Sequence, residues 1–252
     1  ISIYKQLIED NCGIHIDSFR TSILKKAIEK RMELLKINDD CRYLEYIQRE
    51  ESQLKDLICL LTINESYFFR EDSQFYLLVD TIIPQILAQE KEDSQIRILS
   101  AGCSSGEEAY SLAIALNEKF GSQTSKKFKI FAFDVDKQVI ETAKKGIYGK
   151  SSFRAIEKDL LNNYFKPLKE NQKQIELSLR KQVTFFEHNL LGSDFPAFLK
   201  HIDAIFYRNV SIYFKPRTQK VVFGKLAGIL KQNGYLFMSA TEIFAHNIGI
   251  LN

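Results

Sequence analysis

The sequence predicts an α/β protein in which a mostly parallel sheet carries helices on both faces and follows a small all-helical domain. Over residues 1–70, apolar residues recur at helical spacing and show no strand-like alternation. From residue 96 onward, short apolar runs alternate with helical segments, which is the pattern of a parallel sheet. A chain of 252 residues has room for a small domain followed by a medium one.

The first domain, residues 1–70, is predicted to contain four short amphipathic helices separated by the turn-forming stretches CGIHID and INDD. A connecting helix is expected over residues 71–95, with Pro84 as a kink or a break in it. The four helices are predicted at residues 1–11, 20–36, 40–49 and 51–62.

The second domain, residues 96–252, is predicted to alternate strands and helices. A lysine- and asparagine-rich stretch near residues 160–183 is longer than a plain crossover needs, and it predicts an insertion or a small antiparallel β-subdomain. The strands are IRILS (96–100), KIFAF (129–133), VTFF (183–186), DAIFY (203–207) and YLFMS (235–239), and the helices span 107–120, 136–145 and 216–231.

Composition excludes several classes of protein. The hydrophobic fraction of 45% and charged fraction of 27% are typical of an ordinary globular chain, and a net charge of +3 does not indicate a nucleic-acid partner. No apolar run reaches the roughly 18 residues of a membrane span, and the start lacks a secretory pattern, so a cytoplasmic protein without membrane insertion is expected. The 4 cysteines are scattered, which favours free thiols over a metal site or a disulfide framework.

The stretch ILSAGCSSGEEAYSLA (98–113) places a glycine turn between the first strand and a helix. Its Gly102 and Gly106 do not form the GxGxxG pattern of dinucleotide folds. Glu107 and Glu108 occupy the first helical turn, where they would repel a pyrophosphate, and the turn holds no compensating cation. A phosphate-free, cationic nucleoside fits better, and S-adenosylmethionine has these properties. Alternatively, the two glutamates only favour helix initiation.

Polar residues also end the next strands of the predicted sheet. Asp134 ends the second strand, where an acidic residue can bind ribose hydroxyls, while Asp136 is the better candidate to cap the following helix. Asn189 and Asn209 follow the third and fourth strands, although each is equally explained as a turn residue. Because these strand ends converge on one crevice, we expect a shared ligand site. A helix turns about 100° per residue, so only one of the two glutamates should face it.

Five segments, in order along the chain, closely resemble the chemotaxis-receptor glutamate O-methyltransferases, the CheR family. The resemblance covers nearly the whole chain, including the helical domain, where GIHIDSFRTSILKKAIEKRMELL is similar to that family's opening helices. The segments are TINESYFFRED (62–72), ILSAGCSSGEEAYSLAIAL (98–116), FAFDVDKQVIETAKKGIY (131–148), AIFYRNVSIYF (204–214) and LKQNGYLFMSATEIF (230–244).

The resemblance implies a class I methyltransferase (Rossmann-like) fold and a protein-glutamate O-methyltransferase. S-adenosylmethionine would donate a methyl group to glutamate side chains of a receptor and leave as S-adenosylhomocysteine. Arg70 and Tyr213 correspond to the residues beside the transferred methyl. The other cofactor contacts implied here are Asn64, Ser66, Glu107 or Glu108, Asp134, Asn189 with Leu190, and Asn209 with Val210, to which the glycine turn adds Gly102.

Two departures from the family pattern affect the site. The family's last motif usually reads GHSE, and here it reads SATE (239–242), so the support of that loop is in question. The resemblance also implies final sheet strands beyond Asn252. The NESYFFR segment has a simpler interpretation as well, since Thr62 and Glu65 fit a capping box and its two phenylalanines fit a core.

The chemistry implied by the resemblance asks little of acid–base catalysis. A glutamate with an ordinary pKa of about 4.3 is already ionised at neutral pH, so no base is needed. We therefore expect Arg70 to hold the acceptor carboxylate and the Tyr213 hydroxyl to fix its rotation. The four histidines form no visible catalytic arrangement.

A basic helix at residues 20–36 has a solvated helix face as its default explanation, and the alternative is that it docks onto the acidic helical bundle of a receptor. The stretch near 160–183 lacks the glycine-containing loop of family members that bind a receptor C-terminal peptide, so recognition independent of that peptide is expected. The protein is also expected to be a monomer. Two rival hypotheses stay open: another protein or small-molecule acceptor, and a non-catalytic cofactor-binding signalling domain. The basic residues are Arg20, Lys25, Lys26, Lys30, Arg31 and Lys36.

Overall fold

The computed structural model describes residues 1–89, 94–121, 124–192, 194–240 and 242. Four helices form the first domain around a core of their own, in which Tyr4, Ile8, Leu24, Tyr43 and Leu57 are fully buried. The predicted connecting helix at 90–93, Thr241 of the SATE motif and the end of the second domain at 243–252 lie outside the described residues. The helices are α1 (Ser2–Cys12), α2 (Thr21–Leu35), α3 (Asp40–Arg49) and α4 (Glu51–Cys59).

The predicted connecting segment is a helical stretch that packs on the sheet domain. It consists of α5 (Ser73–Leu77), a π-helical turn (Leu78–Ile82) and α6 (Ile83–Gln89). Pro84 does not end it, because the preceding turn is wound wider, with the Ile83 N–H donating to the Leu78 carbonyl. The buried face of this segment belongs to the same hydrophobic cluster as the sheet.

The sheet has five parallel strands, and the parallel direction is as predicted. Their order in the sheet is β6-β2-β1-β7-β8. Strand β8 begins earlier than expected and is irregular until Tyr235, where it pairs with Ala204. The strands are β1 (Ile96–Ala101), β2 (Phe128–Asp134), β6 (Val183–Glu187), β7 (Ile202–Phe206) and β8 (Leu230–Phe237), with helices α7 (Glu107–Phe120), α8 (Thr124–Lys127), α9 (Lys137–Lys145), α10 (Lys158–Tyr164), α11 (Leu177–Arg180) and α12 (Pro216–Ile229).

Both faces of the sheet are buried, which explains its continuous apolar strands. Ile96 and Ile98 of β1 pack with α7 and the 73–89 helical segment, whereas Leu99 and Ala101 pack with α12 on the opposite face. Among the described residues, no helix combines the length and apolar character that a bilayer crossing needs.

The predicted insertion is a three-stranded antiparallel sheet, β3 (Ile147–Gly149), β5 (Gln172–Ile175) and β4 (Phe165–Lys169) in spatial order. It starts earlier than predicted, because β3 follows directly after α9. Phe68 packs against the Tyr148, Phe153 and Phe165 rings of this subdomain, with centroids 4.9, 5.6 and 4.9 Å away. The subdomain therefore anchors the segment that carries Arg70.

Candidate cofactor and active site

A cleft opens at the carboxyl ends of the parallel strands, where the chain order reverses between β1 and β7. The segment 62–70 and the helical domain close it from the other side. Eleven of the predicted site residues line it: Asn64, Ser66, Arg70, Gly102, Glu108, Asp134, Asn189, Leu190, Asn209, Val210 and Tyr213. We call Gly102, Glu108, Asp134, Asn209 and Val210 the sheet wall, and Arg20, Arg70 and Tyr213 the outer wall.

The glycine turn after β1 needs its first glycine for two reasons. Gly102 has a φ of 77°, in the left-handed region that disfavours other residues. A Cβ there would also lie 2.5 Å from Cγ2 of Val210. Ser104, two residues on, holds a φ of 49° while its N–H donates to Asp134. The turn is thus fitted closely to the loops that follow β2 and β7.

The two glutamates at the start of α7 point in different directions, as the helical rotation predicts. Glu107 is only 2% exposed and lies away from the cleft, where it accepts hydrogen bonds from Ser105 (2.8 Å) and Ser152 (2.9 Å). Glu108 lines the cleft and accepts a hydrogen bond of 2.6 Å from Ser100. Burial raises the pKa of Glu108, and the nearby Arg208 opposes that rise.

Arg208 also lines the cleft, although the sequence patterns predict no role for it. It lies within the YRNVSIYF segment. Its Nε is 3.5 Å from Oε2 of Glu108, and its Nη2 donates to the Arg70 carbonyl. Its Nε and Nη1 are buried and have no hydrogen-bond partner in the described part of the chain. Arg208 therefore places a positive charge beside the Glu108 carboxylate and links it to the backbone of Arg70.

Asp134 is less free than expected, because backbone N–H groups already bind both of its oxygens. Ser104 donates to one at 2.9 Å and Asp136 to the other at 3.0 Å. A carboxylate has about four acceptor positions, so it can still accept from hydroxyl groups in the cleft. Burial raises its pKa, and these backbone hydrogen bonds oppose the rise. Asp136 caps α9 as predicted, accepting from Gln138 at 2.8 Å.

Two of the predicted side chains serve mainly to hold the site together. The Asn189 amide donates to the Asn11 carbonyl (2.7 Å) and accepts from the Leu191 N–H (3.0 Å), so its hydrogen bonds go to the protein itself. The Asn64 amide donates to Asp136 at 2.9 Å. The Asn189 side chain thus fastens the helical domain to the loop after β6, and the Asn64 side chain fastens the 62–70 segment to the loop after β2.

Glu242 supports the loop after β7, and it is the residue of the SATE motif that matches the family pattern. Its carboxylate accepts from the N–H groups of Asn209, Val210 and Ser211, each at 2.8 Å, and from the Ser211 hydroxyl at 2.9 Å. A fifth hydrogen bond comes from the Ser239 N–H at 3.1 Å. Asn209 meanwhile keeps a φ of 59°. The departure from GHSE therefore leaves the loop well supported.

The backbone around Arg70 is held in an unfavourable conformation. Phe69 and Glu71, on either side, have φ values of 57° and 55°, and strained backbone of this kind is concentrated at functional sites. The Phe69 N–H donates to Ser111 at 2.9 Å, which helps to hold the strain. The capping-box interpretation is wrong, because no helix begins at Thr62. The prediction that Phe68 and Phe69 are core residues is confirmed.

Tyr213 lies in a 3₁₀ turn (Ser211–Tyr213), and its half-buried ring lines the cleft. Within the described residues its hydroxyl has no hydrogen-bond partner. Burial raises the pKa of Tyr213, while Arg20 and Arg70 oppose the rise. The hydroxyl therefore stays protonated at neutral pH and can donate a hydrogen bond into the cleft.

The basic helix is divided between inward and outward residues. Arg31 is buried and pairs with Asp56 at 2.8 Å, and Arg20 lines the cleft. The other four, Lys25, Lys26, Lys30 and Lys36, are exposed. The surface available for docking is therefore smaller than the sequence suggested. Across the described ranges, no group of three or more metal-ligating side chains is arranged to hold a metal ion.

Comparison with known proteins gives consistent matches. A family model described as the CheR methyltransferase S-adenosylmethionine-binding domain matches residues 64–250. A chemotaxis protein methyltransferase of Borreliella burgdorferi is 32% identical over 247 residues, which cover 96% of this chain and 87% of that protein. The chemotaxis protein methyltransferase of Escherichia coli is 30% identical over 246 residues, covering 96% and 83%. Chemotaxis protein methyltransferase 2 of Pseudomonas aeruginosa is 32% identical over 238 residues, covering 93% and 82%.

Proposed function

This chain belongs to the CheR methyltransferase family, and from that premise we propose that it methylates glutamate side chains of a chemotaxis receptor. The product would be a methyl ester, and S-adenosylmethionine is the methyl donor. The observation that carries the proposal is the shared cleft, which Arg70 and Tyr213 line together with Glu108 and Arg208.

The sheet wall suits S-adenosylmethionine group by group. Glu108 matches the positively charged amino group in the amino-acid part of the cofactor, and Arg208 beside it holds that carboxylate in place. Asp134 would accept hydrogen bonds from the ribose hydroxyls, and Leu190 lies on the apolar side of the cleft that suits adenine. When bound, the cofactor supplies a methyl group activated by a positively charged sulfur.

The outer wall supplies orientation and not proton transfer. An acceptor carboxylate is ionised at neutral pH and is itself the nucleophile. Arg70 donates one hydrogen bond to the Glu65 carbonyl at 3.2 Å, and its remaining donors can hold a carboxylate. The neutral Tyr213 hydroxyl can donate to the same group and fix its rotation. Holding the reacting atoms in line contributes a large part of such rate enhancements.

The exposed lysines of α2 are the proposed docking surface for the receptor's acidic cytoplasmic helices. Lys25, Lys26 and Lys30 lie on the helix whose preceding residue, Arg20, reaches the cleft. Opposite charge would orient the receptor and speed encounter. Raising the salt concentration should therefore weaken receptor binding more than cofactor binding.

The β-subdomain supports recognition without a C-terminal receptor peptide. A peptide that joins a sheet as an extra strand needs free N–H groups along an edge strand. Of the two edge strands, β3 spans only 3 residues, and β4 contains Pro167 and shifts its register between Pro167 and Lys169. Proline and a bulge both protect an edge against strand addition. Receptor fragments with and without their C-terminal peptide should be methylated at similar rates.

Transfer of a radiolabelled methyl group to receptor cytoplasmic fragments, released by mild base, would test the proposal. Arg70→Ala and Tyr213→Phe should each lower turnover at least about tenfold, since each removes a hydrogen bond to a charged group. Tyr76→Phe is the matched control, because Tyr76 lies on α5 and is 40% exposed. Fragments with glutamine at the methylation sites should take up no label. Normal turnover in both variants, or label on the glutamine fragments, would contradict the proposal.

A further inference from the structure

The catalytic tyrosine is held from two sides by parts of the molecule that are distant in sequence. Glu242 holds the start of its 3₁₀ turn through Ser211. The helical domain holds its end: the His15 N–H donates to the Tyr213 carbonyl at 2.9 Å, and Ile14 forms an antiparallel bridge with Phe214. These bonds fix the backbone of Tyr213 and leave the direction of its ring to side-chain contacts.

The ring is contacted by Arg20, at the start of α2. The Arg20 guanidinium carbon lies 5.2 Å from the centroid of the Tyr213 ring, a cation–π distance that stabilises a fixed ring orientation. Its Nη2 is anchored to the Leu61 carbonyl at 2.6 Å. Arg20 therefore has one donor fixed to the segment leading to Arg70 and its charged plane against Tyr213.

The two other nitrogen atoms of the Arg20 guanidinium that can donate hydrogen bonds also support this contact. Its Nε and Nη1 are buried and make no hydrogen bond within the described residues. A guanidinium seldom leaves two donors unused in a buried position unless its place is determined by something else. For Arg20, the contact that determines its place is the one with the Tyr213 ring.

Taking the proposed function as its basis, we infer that Arg20 is a positioning residue for Tyr213, so that the helical domain takes part in methyl transfer and not only in docking. Arg20 keeps the Tyr213 ring, and with it the hydroxyl, pointed towards the acceptor carboxylate. The closure of the cleft by the helical domain is then a catalytic requirement.

A double-mutant cycle with Arg20→Met and Tyr213→Phe tests this inference. Arg20→Met should lower kcat on a saturating receptor fragment about tenfold, the size of a partly buried cation–π contact. In the Tyr213→Phe background, where there is no hydroxyl to aim, the same change should cost less than about twofold. The dissociation constant of S-adenosylmethionine, measured by calorimetry, should stay within about twofold throughout. Arg49→Met, at the end of α3, is the matched control and should leave kcat unchanged.

Additive losses in the double variant, or a loss confined to KM for the receptor fragment, would overturn the inference. If Arg20→Met does not fold, Arg20→Gln serves in its place, because it keeps a donor for the Leu61 carbonyl and removes the charge. Arg20→Lys should recover part of the lost rate, since an ammonium keeps the cation–π contact. Full activity in Arg20→Gln would also contradict the inference.

A readout without any acceptor separates this inference from the proposed function. In protein labelled with ¹³C-tyrosine, the Tyr213 ring signal is assigned by its loss in Tyr213→Phe. Arg20→Met should shift that signal, and Arg49→Met should not. If the wild type methylates no receptor fragment but the signal shifts, the acceptor assignment is wrong and the positioning role stands. An unmoved signal would show that Arg20 does not orient the ring.

Discussion

The two walls of the cleft are built in opposite ways. The sheet wall is fastened mainly by backbone hydrogen bonds: four backbone N–H groups and the Ser211 hydroxyl donate to Glu242, and two backbone N–H groups donate to Asp134. On the outer wall, the Tyr213 hydroxyl and two Arg20 nitrogens have no hydrogen-bond partner among the described residues. A wall whose polar groups are satisfied keeps its shape before a ligand arrives, whereas the unpaired Tyr213 hydroxyl can donate a hydrogen bond to an acceptor. Changes that remove these backbone hydrogen bonds should therefore reduce stability and cofactor affinity together.

The largest effect is expected from Glu242→Gln. Whichever way the amide turns, its NH₂ replaces an oxygen that accepts at least two backbone N–H groups, and those groups lose their partner. Each unsatisfied buried donor costs about 1–3 kcal/mol, so the loss of unfolding free energy should be about 2–6 kcal/mol. Chemical denaturation and calorimetry with S-adenosylmethionine should both show it.

Glu170→Gln provides the control, because Glu170 is exposed at the turn between β4 and β5. It should change neither stability nor cofactor affinity. A Glu242→Gln variant with normal stability and weakened binding would mean that the loop after β7 does not depend on this carboxylate for its shape.

Gly102→Ala should have the next largest effect. A residue with a side chain at a φ of 77° costs about 1–2 kcal/mol, and its Cβ would approach Val210 Cγ2 to 2.5 Å. Because Val210 is fixed through Glu242, the contact cannot relax easily, and cofactor affinity should fall about tenfold or more. Calorimetric titration measures this directly.

The contribution of the close approach to Val210 can be separated from that of the backbone strain at residue 102. Adding Val210→Ala removes the close approach but leaves the backbone strain, so it should restore affinity only in part. Gly224→Ala is the matched control, since no heavy atom lies within 4 Å of its added Cβ. If Gly102→Ala binds the cofactor as the wild type does, the close fit of this turn is not needed for the site.

Most of the fold could be predicted from the sequence, because it follows from local patterns. The strands and helices of the sheet domain alternate as their apolar periodicity predicted, and the site residues at strand ends meet because parallel strands place those ends together. Helix rotation likewise predicted that Glu107 and Glu108 would diverge.

The contacts that join distant segments could not be predicted in this way. The Asn189 amide binds Asn11, which depends on where α1 ends relative to the sheet. Arg208 has a role only because Glu108 lies beside it, and a single arginine in a strand-end motif has no distinguishing local pattern. Arg20 belonged to a run of basic residues, and nothing in that run marks the one that turns inward.

The smallest of the predicted effects is a loss of cofactor affinity at low pH. Glu108 would attract a cationic group in its ionised form, and burial raises its pKa above the ordinary value of a glutamate. As the pH falls through that raised pKa, the carboxylate is neutralised. The affinity for S-adenosylmethionine should therefore begin to fall at a higher pH than it would if Glu108 had the pKa of an ordinary glutamate. Because its pKa is raised by burial, the ionised Glu108 carboxylate lowers the folding stability, and acidification removes this cost. The weaker binding expected from protonation of Glu108 is therefore not a sign of unfolding.

Glu108→Gln isolates this contribution. Asp134 and His188 also line the cleft and also titrate, so the informative quantity is the difference between the wild type and Glu108→Gln. At neutral pH the variant should bind the cofactor about tenfold more weakly, equivalent to about 1.4 kcal/mol. The two affinities should converge as the pH is lowered, because the wild-type carboxylate then becomes neutral as well. A constant ratio across the pH range would mean that Glu108 contributes shape to the sheet wall and not charge.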